Sequence, residues 1–181
     1  LLPEAFAVAE ERDRREPIIV QTLLRQVPDV RKVALDRIYA AGLTRLEMFY
    51  VARAEDLAQT TVLSVQQCQQ IIERFQAFRS ESSSKPVTDG RSREQVLLGE
   101  LCARLGRQTK EFERAQSGAR GLDKKALRKQ RNDTLLEVQL VLARLGRVDL
   151  VSELEKLPFI KKVDALVGYL AELKRTASSG G

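Results

Sequence analysis

The sequence contains no histidine and no tryptophan, and its 181 residues include only two cysteines. Without histidine the chain lacks the commonest general base and the commonest zinc ligand. The two cysteines, Cys68 and Cys102, are too few to form a tetrahedral thiolate site. Each lies among apolar residues at helical spacing, so we expect a buried thiol at each position, with a single disulfide as the alternative.

No apolar run approaches the roughly 18 residues of a membrane span, and no secretory signal opens the sequence. We find no phosphate loop, no metal-ligand spacing and no nucleophile paired with a base. We therefore predict a cytoplasmic, non-enzymatic protein without metal, cofactor, membrane contact or small-molecule substrate. An enzyme with a carboxylate-lined pocket is the alternative. Because the chain begins at Leu1, we interpret it as part of a larger protein.

Apolar residues recur at intervals of three and four almost throughout, which predicts an all-α fold. A Ser-rich segment with proline and glycine at 80–91 predicts a linker. The short turns after it favour antiparallel packing of the helices that follow. The predicted organisation is a lead-in helix at 1–16 interrupted by Pro17, a helical domain at 17–79, the linker, a helical bundle at 92–175, and a flexible tail at 176–181.

Several residues predict where individual helices begin and end. Gly42 and Gly146 follow apolar helical segments and are suited to end them. Thr44, Ser64 and Asp123 precede such segments and are predicted N-caps. These positions divide the sequence into predicted short helices joined by tight turns.

One pentapeptide occurs twice, because Ala-Arg-Leu-Gly-Arg at 103–107 recurs at 143–147. The residues that flank the two copies match poorly. Since Leu-Gly-Arg is a common helix ending, we interpret the repeat as coincidence, with a divergent duplicated helix pair as the alternative.

A series of short motifs follows in a fixed order between residues 27 and 78. They are Val-Pro-Asp-Val-Arg at 27–31, Ala-Ala-Gly-Leu-Thr at 40–44, Ala-Glu-Asp-Leu at 54–57, Val-Leu-Ser at 62–64, and Cys68 followed by the pair Ile71-Ile72. In order and spacing this segment resembles the tandem helix-hairpin-helix domains found at the N-terminus of recombinases and at the C-terminus of the RNA polymerase α-subunit. The resemblance covers under a third of the chain.

The resemblance implies two hairpins, at 29–31 and 62–64. In DNA-binding members each hairpin is Gly-apolar-Gly, because the backbone turns sharply and approaches a phosphate held by helix N-terminal amides. Both hairpins here lack these glycines. Val62 at a position that needs a positive φ costs about 1–3 kcal/mol, and Asp29 places a carboxylate where a phosphate would sit. The apolar middle residues are kept, which implies a retained fold with a degraded phosphate cradle.

Two groups of side chains are candidate binding residues. With a net charge of +6, the chain permits an acidic partner or nucleic acid. We predict a protein-binding adaptor or scaffold module, and the alternative is a DNA-binding accessory domain. Phe49 and Tyr50 are candidate partner-binding aromatics, with core filling as the alternative. The candidate anion or nucleic-acid face consists of Arg31, Lys32, Lys124, Lys125, Arg128, Lys129 and Arg131.

Overall fold

The computed structural model describes residues 3–83 and 90–179, and within these ranges all regular structure is helical. The all-α prediction is confirmed. The chain divides into two compact units, Leu1–Asp89 and Gly90–Gly181. The predicted linker at 80–91 is helical up to Ser83 and again from Gly90. Its central part, 84–89, and the end of the predicted tail, 180–181, lie outside the described residues.

The first unit is built around its fifth helix, which contacts α1, α3 and α4, while α2 packs on α4. Its core is formed by large apolar side chains that repeat at helical spacing and lose nearly all contact with water. They include Leu23, Leu24, Ile38, Phe49, Ile71 and Phe75. The helices are α1 (Pro3–Gln26), α2 (Lys32–Ala40), α3 (Leu46–Val51), α4 (Ala54–Thr61) and α5 (Val65–Ser83).

Helix α1 continues through Pro17, so the expected interruption between a lead-in helix and the first domain is wrong. A proline inside a helix removes one hydrogen bond and costs about 3 kcal/mol. The turns that follow bury Ile19, Val20, Leu23 and Leu24 in the core. Since burying one such side chain contributes about 1.5–3 kcal/mol, this packing outweighs the local penalty.

The second unit is a helical bundle whose first two helices are antiparallel. Residues near the start of α6 pair with residues near the end of α7, as the Glu94–Arg144 ion pair at 3.4 Å shows, and Arg104 meets Glu137 further along. This confirms the antiparallel packing predicted from the short turns. The helices are α6 (Gly90–Gln116), α7 (Lys124–Arg144), α8 (Val148–Glu155) and α9 (Phe159–Ser178).

Four of the predicted helix ends are confirmed. The Asp123 carboxylate accepts the N–H groups of Lys125 and Ala126 at 3.0 and 3.3 Å. The Ser64 hydroxyl caps α5 by accepting a hydrogen bond from the backbone N–H of Gln67. Glycines with φ of +78° and +77°, at 42 and 146, directly follow the ends of α2 and α7.

The two copies of the repeated pentapeptide differ in structure. The copy at 143–147 ends α7, where Gly146 has a positive φ. In the copy at 103–107, Gly106 continues α6 as an ordinary helical residue. The same five residues therefore end one helix and lie inside another, which agrees with coincidence.

The beginning of α3 differs from the prediction, because Thr44 is not its N-cap. The helix begins at Leu46, and the preceding residue makes no side-chain capping bond. The Leu46 N–H donates instead to the carboxylate of Glu16 in α1, at 2.8 Å. Glu16 is only 8% exposed, and the Arg12 guanidinium lies 3.9 Å from its other oxygen. An acid from another helix thus caps α3 and ties it to α1.

Replacing this acid should destabilise the first unit. In Glu16→Ala the partly buried Leu46 N–H loses its acceptor, so we expect the free energy of unfolding to fall by about 1–3 kcal/mol. The matched control is Glu10→Ala on the same helix, whose exposed pair with Arg14 contributes below about 1 kcal/mol. Urea unfolding followed by circular dichroism measures both, and equal losses would contradict the capping role.

Candidate functional site

Each of the two hairpins contains one non-glycine residue with a left-handed backbone. Asp29 has φ +64° and Val62 has φ +61°, and within 3–83 and 90–179 they are the two non-glycine residues with positive φ. Both stand first in their hairpins, where the resemblance expects glycine. Aspartate tolerates this conformation through its short polar side chain, whereas valine does not. The turn is therefore made without glycine, and the strain falls on Val62.

Val62 is strained and exposed at the same time. Its N–H donates to the Ala58 carbonyl at 3.1 Å and closes α4. The side chain is 73% exposed, so burial does not offset a strain of about 1–3 kcal/mol. Val65, one turn further, is 49% exposed, and Leu63 between them is half-buried. We call Val62, Leu63 and Val65 the second-hairpin surface.

The second-hairpin surface carries no charge, and two backbone N–H groups beside it donate to side chains. From Leu57 to Ile72 the sequence contains no charged residue, although 31% of the whole chain is charged. The Ser64 N–H donates to the side-chain oxygen of Gln67 at 3.2 Å, and the Gln67 N–H donates back to the Ser64 hydroxyl at 3.1 Å. Because cations supply most of the attraction for a phosphate and this segment has none, the hairpin is chemically an apolar, neutral surface.

The first hairpin is charged, with both signs present. Asp29, Arg31 and Lys32 are all exposed, and α2 begins without a side-chain cap. Val30 between them is half-buried, in keeping with a middle residue that faces the core. The Asp29 carboxylate reduces the attraction that two cations and an uncapped helix start exert on an anion. The two hairpins therefore present different chemistry.

Most of the predicted cationic face in the second unit is exposed on α7. Lys124, Lys125, Arg128 and Lys129 all reach solvent. Lys129 is paired with Asp133 at 3.1 Å. This subset belongs to the second unit, while Arg31 and Lys32 belong to the first, so the predicted face draws on both units.

Arg131 is less exposed than the other predicted cations of this unit, because it is half-buried. Its guanidinium carbon lies 4.1 Å from the centre of the Phe112 ring and 3.7 Å from that of Phe159. Its Nε is buried without a hydrogen-bond partner. Burial lowers the pKa of Arg131 below its usual value, and the charge of Arg128 lowers it further. Aromatic residues from two other helices thus hold this side chain against the bundle.

The predicted aromatic anchors separate into one core residue and one partly exposed residue. Phe49 is fully buried and stacks on Phe75 with ring centres 4.2 Å apart, so its role as a partner-binding anchor is wrong and core filling is correct. Tyr50 is half-buried beneath the Arg79 guanidinium, 5.1 Å from the ring centre. Burial raises the pKa of its hydroxyl.

The two cysteines are free, buried thiols in different units, as the apolar surroundings predicted. Burial raises the pKa of Cys102 to about 11. Burial also raises the pKa of Cys68, against a smaller opposing effect from its contact with Thr61. Since the thiolate is the reactive form, neither side chain is suited to act as a nucleophile at neutral pH.

No family model, no curated protein and no solved structure matches the chain. Among the residues with described coordinates, none of the helices combines the length and apolar character needed to cross a bilayer. Over the same residues, no three acidic or cysteine side chains converge in a way that would hold a metal ion.

The sequence prediction missed the exposed valines of the second hairpin. It treated Val62 only as a poor substitute for glycine, because exposure cannot be read from a short apolar segment. The available signal was the charge-free stretch from Leu57 to Ile72 within a highly charged chain. A stretch of this kind on a helical protein indicates either a core or a contact surface, and here it contains both.

Replacing Val62 with glycine should stabilise the protein. Glycine removes a strain of about 1–3 kcal/mol and adds a backbone entropy cost of about 0.5–1 kcal/mol, so the expected net gain is about 1 kcal/mol. The matched control is Val33→Gly, because Val33 is similarly exposed, at 66%, but helical. There glycine should lower stability by about 0.5–1 kcal/mol. Urea unfolding that gives both variants the same sign would show that Val62 is not strained.

Proposed function

We propose that the first unit is a tandem helix-hairpin-helix domain whose hairpins lack glycine and that it binds another protein, making the chain a non-enzymatic adaptor or scaffold module. The order of elements supports this proposal. Helices α1 and α2 are joined by the five residues 27–31, which include the first hairpin, α4 and α5 are joined by the three residues of the second hairpin, and the short α3 lies between the two pairs. Each hairpin begins with a left-handed residue.

The observation that carries the proposal is the strained, exposed valine at the second hairpin. Because the Val62 side chain is strained and yet not buried by folding, we infer that it contacts another molecule. Burying the exposed parts of Val62 and Val65 against a partner would contribute about 2–4 kcal/mol. The neutral surroundings fit an apolar patch on another protein better than a polyanion.

The alternative, a DNA-binding accessory domain, requires cations and free amides at the hairpins. Only the first hairpin has cations, in Arg31 and Lys32, and Asp29 stands beside them. At the second hairpin the Ser64 N–H already donates to the side-chain oxygen of Gln67. These features weigh against hairpin-mediated DNA binding.

Hairpin-mediated binding of duplex DNA is expected to be absent. Fluorescence anisotropy with a labelled duplex at about 50 mM and about 200 mM salt measures it, because phosphate contacts weaken steeply with salt. The double variant Arg31→Glu/Lys32→Glu should bind as weakly as the unaltered chain. A salt-dependent affinity that this double variant abolishes would favour the DNA-binding alternative.

Photo-crosslinking tests the protein-binding surface directly. A benzoylphenylalanine at Gln66, which is exposed beside the second-hairpin surface, should form one dominant protein adduct in the cells that make the protein. Val62→Lys should remove that adduct, because it places a charge in an apolar contact. Val33→Lys should leave it, and the same probe at exposed Gln130 should not form it. An adduct that survives Val62→Lys would contradict the assignment of this surface.

A further inference from the structure

Three cationic side chains meet two aromatic rings in the second unit. Arg131 lies between the rings, 4.1 Å from the centre of Phe112 and 3.7 Å from that of Phe159. Arg128 approaches the Phe112 ring to 5.7 Å, and Lys162 approaches the Phe159 ring to 5.5 Å. Helices α6, α7 and α9 each contribute to this cluster, so it is fixed by the packing of the bundle.

The positive charge of this cluster is only partly compensated. Lys162 donates to the Leu154 carbonyl, which satisfies part of its ammonium group. Among the described residues, neither Arg131 nor Arg128 has a hydrogen-bond acceptor or an ion-pair partner, and the Arg131 Nε is buried without one. Glu113 acts on Arg131 only through space. The face of an aromatic ring attracts a guanidinium, but it is a poor acceptor for the N–H groups, which lie in the guanidinium plane.

Arg131 differs in this respect from comparable arginines of the same unit. Arg144 and Arg147 are also half-buried. Arg144 lies 3.4 Å from a carboxylate oxygen of Glu94, and Arg147 forms two bonds with Asp149 at 3.0 and 3.1 Å. A half-buried guanidinium in this bundle otherwise has a carboxylate partner, which makes the missing partner of Arg131 informative.

We propose that Arg128 and Arg131 bind a phosphoryl group, with the rings of Phe112 and Phe159 holding the Arg131 guanidinium in position. Two neighbouring cations without a hydrogen-bonded or ion-paired carboxylate match a dianion, whereas a carboxylate would neutralise only one of them. Guanidinium groups suit phosphate oxygens because their N–H donors form a planar fork. Exposed Lys124, one turn before Arg128, adds further positive potential.

Calorimetric titration of the whole chain with inorganic phosphate tests the site, with acetate at equal ionic strength as the reference anion. We expect saturable phosphate binding and no comparable acetate binding. Arg128→Gln should weaken phosphate binding about tenfold or more, because one charged donor is lost. Lys129→Gln is the matched control, since it removes the same charge from the same helix but from a residue already paired with Asp133. It should change the affinity less than about twofold.

A second variant separates a built site from general electrostatic attraction. Phe159→Leu keeps every charge and removes one face of the aromatic sandwich, so phosphate affinity should fall although the net charge does not change. Tighter binding of phenyl phosphate than of inorganic phosphate would indicate an esterified phosphoryl group as the source, and the reverse order would indicate the free ion. The proposal is overturned if phosphate shows no saturation up to about 10 mM, or if Lys129→Gln weakens binding as much as Arg128→Gln.

Discussion

The first unit depends on one backbone constraint, which is a left-handed residue in each of its two hairpins. A helix can follow another after so short a connection only if the chain turns sharply, and the left-handed residues in these connections are Asp29 and Val62. Glycine would satisfy this constraint with little strain. Because other residues satisfy it instead, the turns carry side chains, and those side chains decide what each hairpin can contact.

Both candidate sites are places where the fold holds a group without compensating it internally. Val62 is strained yet mostly exposed, and Arg131 is half-buried yet lacks an acceptor among the described residues. Elsewhere the same chain compensates such groups, as Glu16 does for the Leu46 amide and Glu94 for Arg144. An uncompensated group in a chain that otherwise compensates such groups is a good candidate for a contact with another molecule.

Features decided within one or two turns of chain could be predicted from the sequence. The all-α fold and the caps at Ser64 and Asp123 follow from periodicity and local hydrogen bonding. Of the candidate site residues, the exposed cations were foreseen, whereas the half-buried position of Arg131 was not, and core filling by Phe49 was given only as the alternative. The burial of these two side chains depends on which helices pack against them, and neither a periodic pattern nor a charge cluster predicts that packing. The cap on α3 was missed for the same reason, since its acceptor lies in another helix.

The hydrogen bond by which Glu16 of α1 caps α3 matters for the design of shortened versions of this chain. Pro17 is an inviting place to start a shortened version, since a proline after a charged run resembles a domain edge. A chain trimmed to begin there would discard Glu16, the residue immediately before it, and would leave the first amide of α3 without its acceptor. A shortened chain that keeps this contact therefore has to begin upstream of the proline, in a stretch whose surface composition alone suggests a dispensable arm.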